Sequence, residues 1–308
     1  MSAPHGGIAR GEGEGKPAPA PLGAAADSLS LPQLLTDVPR RRWAPEGRTQ
    51  RVALVPTMGS LHEGHLSLMR AARAHADQVV VSIFVNPLQF GPKEDFDEYP
   101  RDLKGDLQRC AEAGVDVVFH PKEVAFYPVG FQTHIDVTAV SQGLCGARRP
   151  GHFRGVATVV YRLLQLLQPD VALFGEKDFQ QLRVIQRMTA DLGLPIEILS
   201  APIVREADGL AMSSRNRYLS PADRQRAVAL SRGLRAAQAR FAQGERSAET
   251  LRETARQALR EVELLEDYVE LCDPETLRPV PYAEKDSRLL VAAFAGATRL
   301  IDNAAIGG

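Results

Sequence analysis

Between residues 51 and 200, short apolar runs alternate with segments long enough for helices. Residues 51–55 read as a strand ended by Pro56, 79–85 as a β-branched run, and 115–120, 171–174 and 196–200 as further strands. Between them, 61–74 reads as a helix with Leu61, Leu68, Met69 and Ala72 on one face, and 103–113 as a helix closed by Gly114. Two more helices are expected over 156–168, stopping before Pro169, and over 179–192, closed by Gly193. The run 79–85 lacks polar alternation, as expected of a strand covered on both faces. Strands separated by helix-length segments predict parallel β-α-β units and an open, doubly wound α/β sheet.

Past residue 204 the texture changes. Residues 222–243 and 248–262 read as helices rich in Ala, Arg, Leu and Glu, and strands are expected at 268–272, 289–294 and 298–301. Helices grouped apart from strands predict a second, smaller α+β domain over 204–308, after a first domain over 28–203. The leader, 1–27, is dominated by Gly, Ala, Pro and Glu, so it buries too little to offset its ordering entropy and is expected to be disordered. It has no apolar signal core, and Glu12 and Glu14 are wrong for a transit peptide. Residues 28–35 read as a short helix and 39–50 as a basic connection.

The 37 Lys and Arg against 38 Asp and Glu give a net charge of −1 over 308 residues, which argues against a protein that coats nucleic acid or an anionic membrane. Hydrophobic residues at 44% and charged residues at 24% are globular values. The three cysteines, Cys110, Cys145 and Cys272, lie far apart with no C-x-x-C pair, which disfavours zinc ribbons and disulfide frameworks and favours a reducing cytoplasm. The longest apolar runs are too short to span a bilayer.

The chemistry concentrates at expected strand-to-helix corners. In Pro56-Thr57-Met58-Gly59-Ser60-Leu61-His62-Glu63-Gly64-His65, the corner lies where open α/β sheets bind ligands, and unpaired N–H groups there favour anions. His62 and His65, three apart, are neighbours on one helix face and suit a transferring phosphoryl group, although two histidines at this spacing also occur as a metal pair or as plain surface residues. Gly64 leaves room for a nucleotide. The second corner, Phe174-Gly175-Glu176-Lys177-Asp178, offers close approach at Gly175, a mobile cation at Lys177, and at Asp178 either a helix cap or a ligand for a divalent ion. In Met212-Ser213-Ser214-Arg215, two hydroxyls and a guanidinium suit a triphosphate. Asn86, Gln89, Gln180 and Gln181 are either uncharged recognition groups or loop solvation. His75, His120 and His134 read as structural, and Glu94, Asp95, Asp97 and Glu98 as a solvated turn.

Taken together with Phe84-Val85-Asn86-Pro87-Leu88-Gln89-Phe90, Arg149-Pro150-Gly151-His152-Phe153-Arg154-Gly155-Val156 and Arg205-Glu206-Ala207-Asp208-Gly209, these motifs resemble the pantoate–β-alanine ligases, within the His-x-Gly-His nucleotidyltransferase superfamily. The resemblance covers residues 51–303 and implies a Rossmann-like first domain that binds ATP and pantoate, with a C-terminal lid. It implies a cytoplasmic, homodimeric enzyme of pantothenate and coenzyme A biosynthesis that uses ATP and Mg2+, with no nucleic-acid or membrane partner. Pantoate would be adenylated with release of pyrophosphate, and β-alanine would then displace AMP.

Carried over residue by residue, Met58, Gly59, Ser60, Leu61, His62, Glu63, Gly64 and His65 would line the ATP site, with His65 as proton donor and His62 on the phosphates. Gly175, Glu176, Lys177 and Asp178 would hold the nucleotide, Asp178 also being the candidate metal ligand. Val204, Met212, Ser213, Ser214 and Arg215 would complete that site, with Lys177, Ser213 and Arg215 acting as a clamp. Gln89 and Gln181 would bind pantoate, Gln89 also meeting β-alanine. Ser60 stands where the family has Ala, and the acidic pair following Tyr99-Pro100-Arg101 is only partly kept, as Asp102 and Asp106.

Overall fold

The computed structural model describes Met1 and residues 30–38, 49–92 and 94–308. The leader, apart from Met1, and most of the 39–50 connection lie outside the described residues. Six strands form one parallel sheet in the order β1-β4-β3-β2-β5-β6: β1 (Gln33–Leu35), β2 (Val52–Thr57), β3 (Gln78–Ile83), β4 (Val117–Phe119), β5 (Val171–Gly175) and β6 (Glu197–Ala201). Helices α1 (Glu63–Arg73) and α2 (Leu103–Glu112) cover one face, burying Met69, Ala72 and Cys110 against Ala53, Val55 and Val79. Two short helices, α3 (Glu123–Phe126) and α4 (Leu144–Arg148), precede α5 (His152–Leu167) and α6 (Phe179–Asp191). These last two cover the other face, packing Leu164, Leu167, Ile185 and Met188 around Val52, Leu54 and Val80. The doubly wound sheet expected from the sequence is therefore present, and β3 is buried along nearly its whole length.

Two local expectations fail for identifiable reasons. Of the helix expected over 28–35, residues 28 and 29 lie outside the described residues and 30–35 are not helical: residues 33–35 are β1, paired in register with Val117, Val118 and Phe119 of β4. The open edge of β4 supplies interstrand hydrogen bonds, and Pro32 disfavours helical geometry at Leu31. Nor does Pro56 end β2, which continues to Thr57 opposite Ile83. Val52 directs its carbonyl toward β5, accepting from the Asp170 N–H, whereas Thr57 directs its carbonyl toward β3. Alternation places Pro56 on the β5 side, where strand pairing has already stopped at Leu54, so its missing N–H removes no ladder bond.

The second domain comprises α7 (Pro221–Ala227), α8 (Ala229–Ala242) and α9 (Ala248–Arg260) on an antiparallel sheet β7-β8-β9, with strands Leu265–Cys272, Arg288–Ala295 and Thr298–Ala305. The single helix expected over 222–243 is instead two, meeting at Val228 (φ −60°, ψ −20°). Leu230, Leu234, Leu251 and Leu259 pack on Val269, Leu289 and Val291. The opposite face of this sheet, through Tyr268, Leu290 and Ala292, joins the core of the first domain. Among the described residues no helix is long and apolar enough to cross a membrane.

Helix α5 approaches the turn after β3 so closely that a Cβ on Gly155 would lie 2.1 Å from the Leu88 carbonyl oxygen and 2.6 Å from the Gln89 nitrogen. Both neighbours are backbone and cannot rotate away. Gly155→Ala is therefore expected to cost about 3 kcal/mol by overpacking, read as a fall in melting temperature of roughly 10 °C.

Candidate active site

The corner after β2 is built from two successive left-handed residues, Gly59 (φ 81°) and Ser60 (φ 52°). A buried carboxylate makes this turn possible: Asp106 accepts the Ser60 and Leu61 N–H groups, both at 2.8 Å. Arg109, one helical turn further along α2, donates to the Leu61 carbonyl. Burial pushes the Asp106 carboxyl up from its ordinary value, against the two N–H bonds that favour its charge. A Cβ on Gly59 would stand 2.8 Å from the Asp106 Oδ2 atom, so glycine is required here by space as well as by φ.

The turn delivers His62 to the N-cap of α1, where its carbonyl accepts the His65 and Leu66 N–H groups at 2.8 and 3.1 Å. The His62 backbone N–H donates to the His65 Nδ1 atom at 3.3 Å, which leaves Nε2 as that ring's donor. The two rings lie 4.0 Å apart, and the His62 ring occupies the place a Cβ on Gly64 would take. Burial, reinforced by Lys177, lowers His62 to about 4, and burial together with His62 holds His65 well below its ordinary value. Both imidazoles are therefore neutral donors near pH 7.

The corner after β5 carries Lys177, whose nearest charged partner is Asp178 at 3.7 Å. From the second domain, the segment around Met212 enters the same cleft. It is fixed by the Met212 N–H on the Val204 carbonyl at 3.0 Å and by Arg215 on Asp95 at 2.8 and 3.1 Å. Ser214 meets the Tyr99 hydroxyl at 3.3 Å. At the third strand end, Asn86 donates to the Gln89 Oε1 atom at 3.0 Å and accepts from the Tyr127 hydroxyl at 2.9 Å. The Gln89 amide is thereby oriented with Nε2 against the Met58 sulfur at 3.1 Å.

One cleft is lined by Met58, His62, Gly64, His65, Gln89, Gly175, Lys177, Asp178, Gln181, Val204, Met212, Ser213, Ser214 and Arg215, so three corners distant in sequence converge. The remaining expected residues lie beside it. Gly59, Ser60 and Leu61 form the supporting turn, Glu63 pairs with Arg70, and Glu176 accepts from Ser200 and Arg288. Gln180 is a scaffold: it takes the Cys145 N–H at 3.0 Å and donates to the Val140 carbonyl at 3.0 Å. The reading of Glu94 and Asp95 as a solvated turn is corrected, because Glu94 pairs with Arg149 at 2.8 and 2.5 Å and Asp95 with Arg215. Tyr99, Arg149 and His152 also line the cleft, and the sequence pattern assigned none of them a role, although Arg149 and His152 lie in one of the family-like motifs. Among the described residues no group of three His, Cys, Asp or Glu could hold a metal ion, and Asp102 caps α2.

The profile of the pantoate-β-alanine ligase family matches residues 33–305. The chain belongs to that family. Over 261 residues the ligase is 61% identical to the pantothenate synthetase of Myxococcus xanthus (strain DK1622), covering 84% of this chain and 89% of the relative. Its fold is similar to the crystal structure of pantothenate synthetase from Thermus thermophilus, with TM-score 0.83 and 46% identity over 89% of this chain and 99% of that one. It is also similar to a Francisella tularensis pantoate-β-alanine ligase crystallised with β-γ ATP and β-alanine, with TM-score 0.75 and 32% identity over 90% and 98% of the two chains.

His62 titrates lower in the folded ligase than in the unfolded chain, so the unfolded state binds more protons between pH 6.5 and about 4. Stability is therefore expected to fall as pH drops through that window. His62→Gln, which has no proton to take up, should flatten the decline by about one proton in a denaturation series across pH.

Proposed function

We propose that this ligase condenses pantoate with β-alanine through a pantoyl adenylate, consuming ATP and releasing pyrophosphate and AMP. The observation that carries the reading is the meeting of Lys177, the His62–His65 pair and Ser213 to Arg215 around one cleft that also holds two uncharged amides, Gln89 and Gln181. The cations and imidazole donors suit a triphosphate, and the amides suit a carboxylate and hydroxyls without adding charge.

In the first step a pantoate carboxylate oxygen attacks the α-phosphorus, the bond to the bridging oxygen breaks, and pyrophosphate leaves. Lys177, Arg215 and Ser213 stabilise the charge that spreads over the phosphoryl oxygens. His62 meets the phosphates, and His65 is the proton donor, since polyphosphate charge opposes the desolvation that keeps its imidazole neutral. Met58, Gly64, Gly175, Val204, Met212 and Ser214 shape the nucleotide's walls, while Gly59, Ser60, Leu61, Glu63 and Glu176 belong to the segments that carry them. In the second step the neutral β-alanine amine attacks the acyl carbon next to Gln89, the acyl carbon–oxygen bond to AMP breaks, AMP departs with the anhydride oxygen, and the nitrogen gives up one proton to solvent as the amide forms.

Magnesium fits the donor set as an ion carried in on the phosphates. Asp178 is a half-exposed carboxylate on the cleft wall, held only loosely by Lys177, and this ion commonly takes one or two carboxylates plus phosphate oxygens. Bound there, it would neutralise phosphate charge. Residues 28–203 form the ATP and pantoate domain in this reading, and 204–308 the lid that excludes water from the adenylate. A cytoplasmic homodimer accompanies the family reading, and sedimentation is expected to give twice the chain mass.

Exchange of labelled pyrophosphate into ATP is expected only with pantoate present, and AMP only when β-alanine is added as well. Exchange without pantoate would point instead to a different acceptor. Lys177→Ala should lower exchange at least a hundredfold with little change in melting temperature, a loss equivalent to about 2.7 kcal/mol of transition-state stabilisation.

Gly175 has an ordinary φ of −78°, and the nearest atom to an added Cβ is the Leu68 Cδ1 at 3.9 Å, so the fold does not require glycine there. Gly175→Ala should keep its melting temperature yet weaken ATP binding tenfold or more by calorimetry, because the methyl group takes ligand space.

A further inference from the structure

The turn that carries Lys177 is a single 3-10 turn, Glu176–Asp178, inserted between β5 and α6. Such turns are short and have poor internal hydrogen-bond geometry, so by themselves they fix a side chain weakly. Here the turn is gripped from outside by the other domain. Asn303, on β9 and 2% exposed, donates from Nδ2 to two successive carbonyls of the turn, Glu176 at 2.9 Å and Lys177 at 3.0 Å. Its Oδ1 atom accepts from the Arg288 Nε at 2.7 Å, which fixes which end of the amide faces the turn.

Arg288 then closes the circuit. Its Nη2 donates to the Glu176 Oε2 at 2.8 Å, and its guanidinium lies 4.1 Å from the centroid of the Phe179 ring at the start of α6. The pairing of β8 with β9 makes this geometry possible, because Leu290 stands opposite Asn303 and Arg288 opposite Ala305, a diagonal arrangement on one ribbon. One amide therefore sets the orientation of two consecutive peptide planes, and those planes determine where the Lys177 side chain starts.

We propose that Asn303, oriented by Arg288, is a positioning residue for Lys177, and that the C-terminal sheet thereby contributes to ATP affinity and adenylate formation without touching the nucleotide. The inference rests on the role given to Lys177 above. It assigns a role to Asn303 of β9, the strand whose Asp302 also holds Arg205 at 2.6 and 2.9 Å. The contact crosses between the domains, so a displacement of β9 is transmitted to the ammonium through hydrogen bonds rather than through the cleft.

A double-mutant cycle tests it, using the full-length ligase and calorimetric binding of the β,γ-imido analogue of ATP together with pantoate-dependent pyrophosphate exchange. Asn303→Ala is expected to weaken analogue binding about tenfold and to lower exchange, with the KM for pantoate unchanged within twofold. Added to Lys177→Ala, the same substitution should change analogue binding by less than twofold. Equal losses in both backgrounds would mean a general structural role and overturn the proposal, as would no loss in either. A Lys177→Ala variant with wild-type affinity and exchange is a separate pattern that removes the reading of Lys177, and the proposal with it. Where Asn303→Ala does not fold, Arg288→Lys keeps the charge but releases the amide, and in the same cycle the same outcomes support or overturn the proposal.

Discussion

The site depends on how briefly β2 and β5 stay together. They pair through Ala53 with Val171 and Leu54 with Ala172, and then diverge, whereas β2 follows β3 for its full length. From β2 the chain winds outward through β3 to β4, which β1 flanks at the sheet edge, and from β5 it winds outward to β6 on the other side, so this divergence falls at the reversal of strand order. Pro56 is tolerated on that opening side, and the corners bearing His62 and Lys177 face each other across it. Extended pairing of the two strands past Leu54 would close this crevice.

Around this crevice, burial and charge work in opposite senses. Desolvation holds the imidazoles of His62, His65 and His152 below their ordinary values, so with no anion bound they are uncharged near pH 7. The arginines of the cleft, by contrast, are paired with carboxylates brought from elsewhere in the chain, Arg149 with Glu94 and Arg215 with Asp95. Asp106 is the equivalent device for the backbone, since its two N–H bonds hold a turn whose left-handed residues would otherwise be strained.

Legibility in the sequence followed distance along the chain. The β2 and β5 corners could be read because strand, turn and functional side chains are contiguous, and most of the expected nucleotide residues do line one cleft. Asp106, Glu94 and Asp95 were not legible as partners: Asp106 stands 46 residues from Ser60, Glu94 stands 55 from Arg149, and Asp95 stands 120 from Arg215. Short acidic runs in isolation carry the signature of solvated turns, and only the fold shows what they meet. The failed helix at 28–35 has the same origin, since an edge strand is defined by its neighbour rather than by its own pattern. Gln180 and Gln181, adjacent in sequence, divide between scaffold and cleft because successive helical positions point about 100° apart.

The cations of the cleft differ in commitment, and the difference follows from where each is rooted. Arg149 and Arg215 each hold a bidentate carboxylate from the 94–95 segment, so neither guanidinium is left unpaired in a partly buried place before a nucleotide arrives. Under the proposed function, a phosphate taking the place of the carboxylate on Arg215 would exchange one anion for another and retain the desolvation already incurred. Lys177 is held differently: its ammonium has a loose neighbour at 3.7 Å, while its backbone is clamped by Asn303. Under the proposed function, a side chain with a fixed root and a lightly held charge would follow a phosphoryl group as bonds exchange, which the forked arginines, each tied at two points, would do less readily.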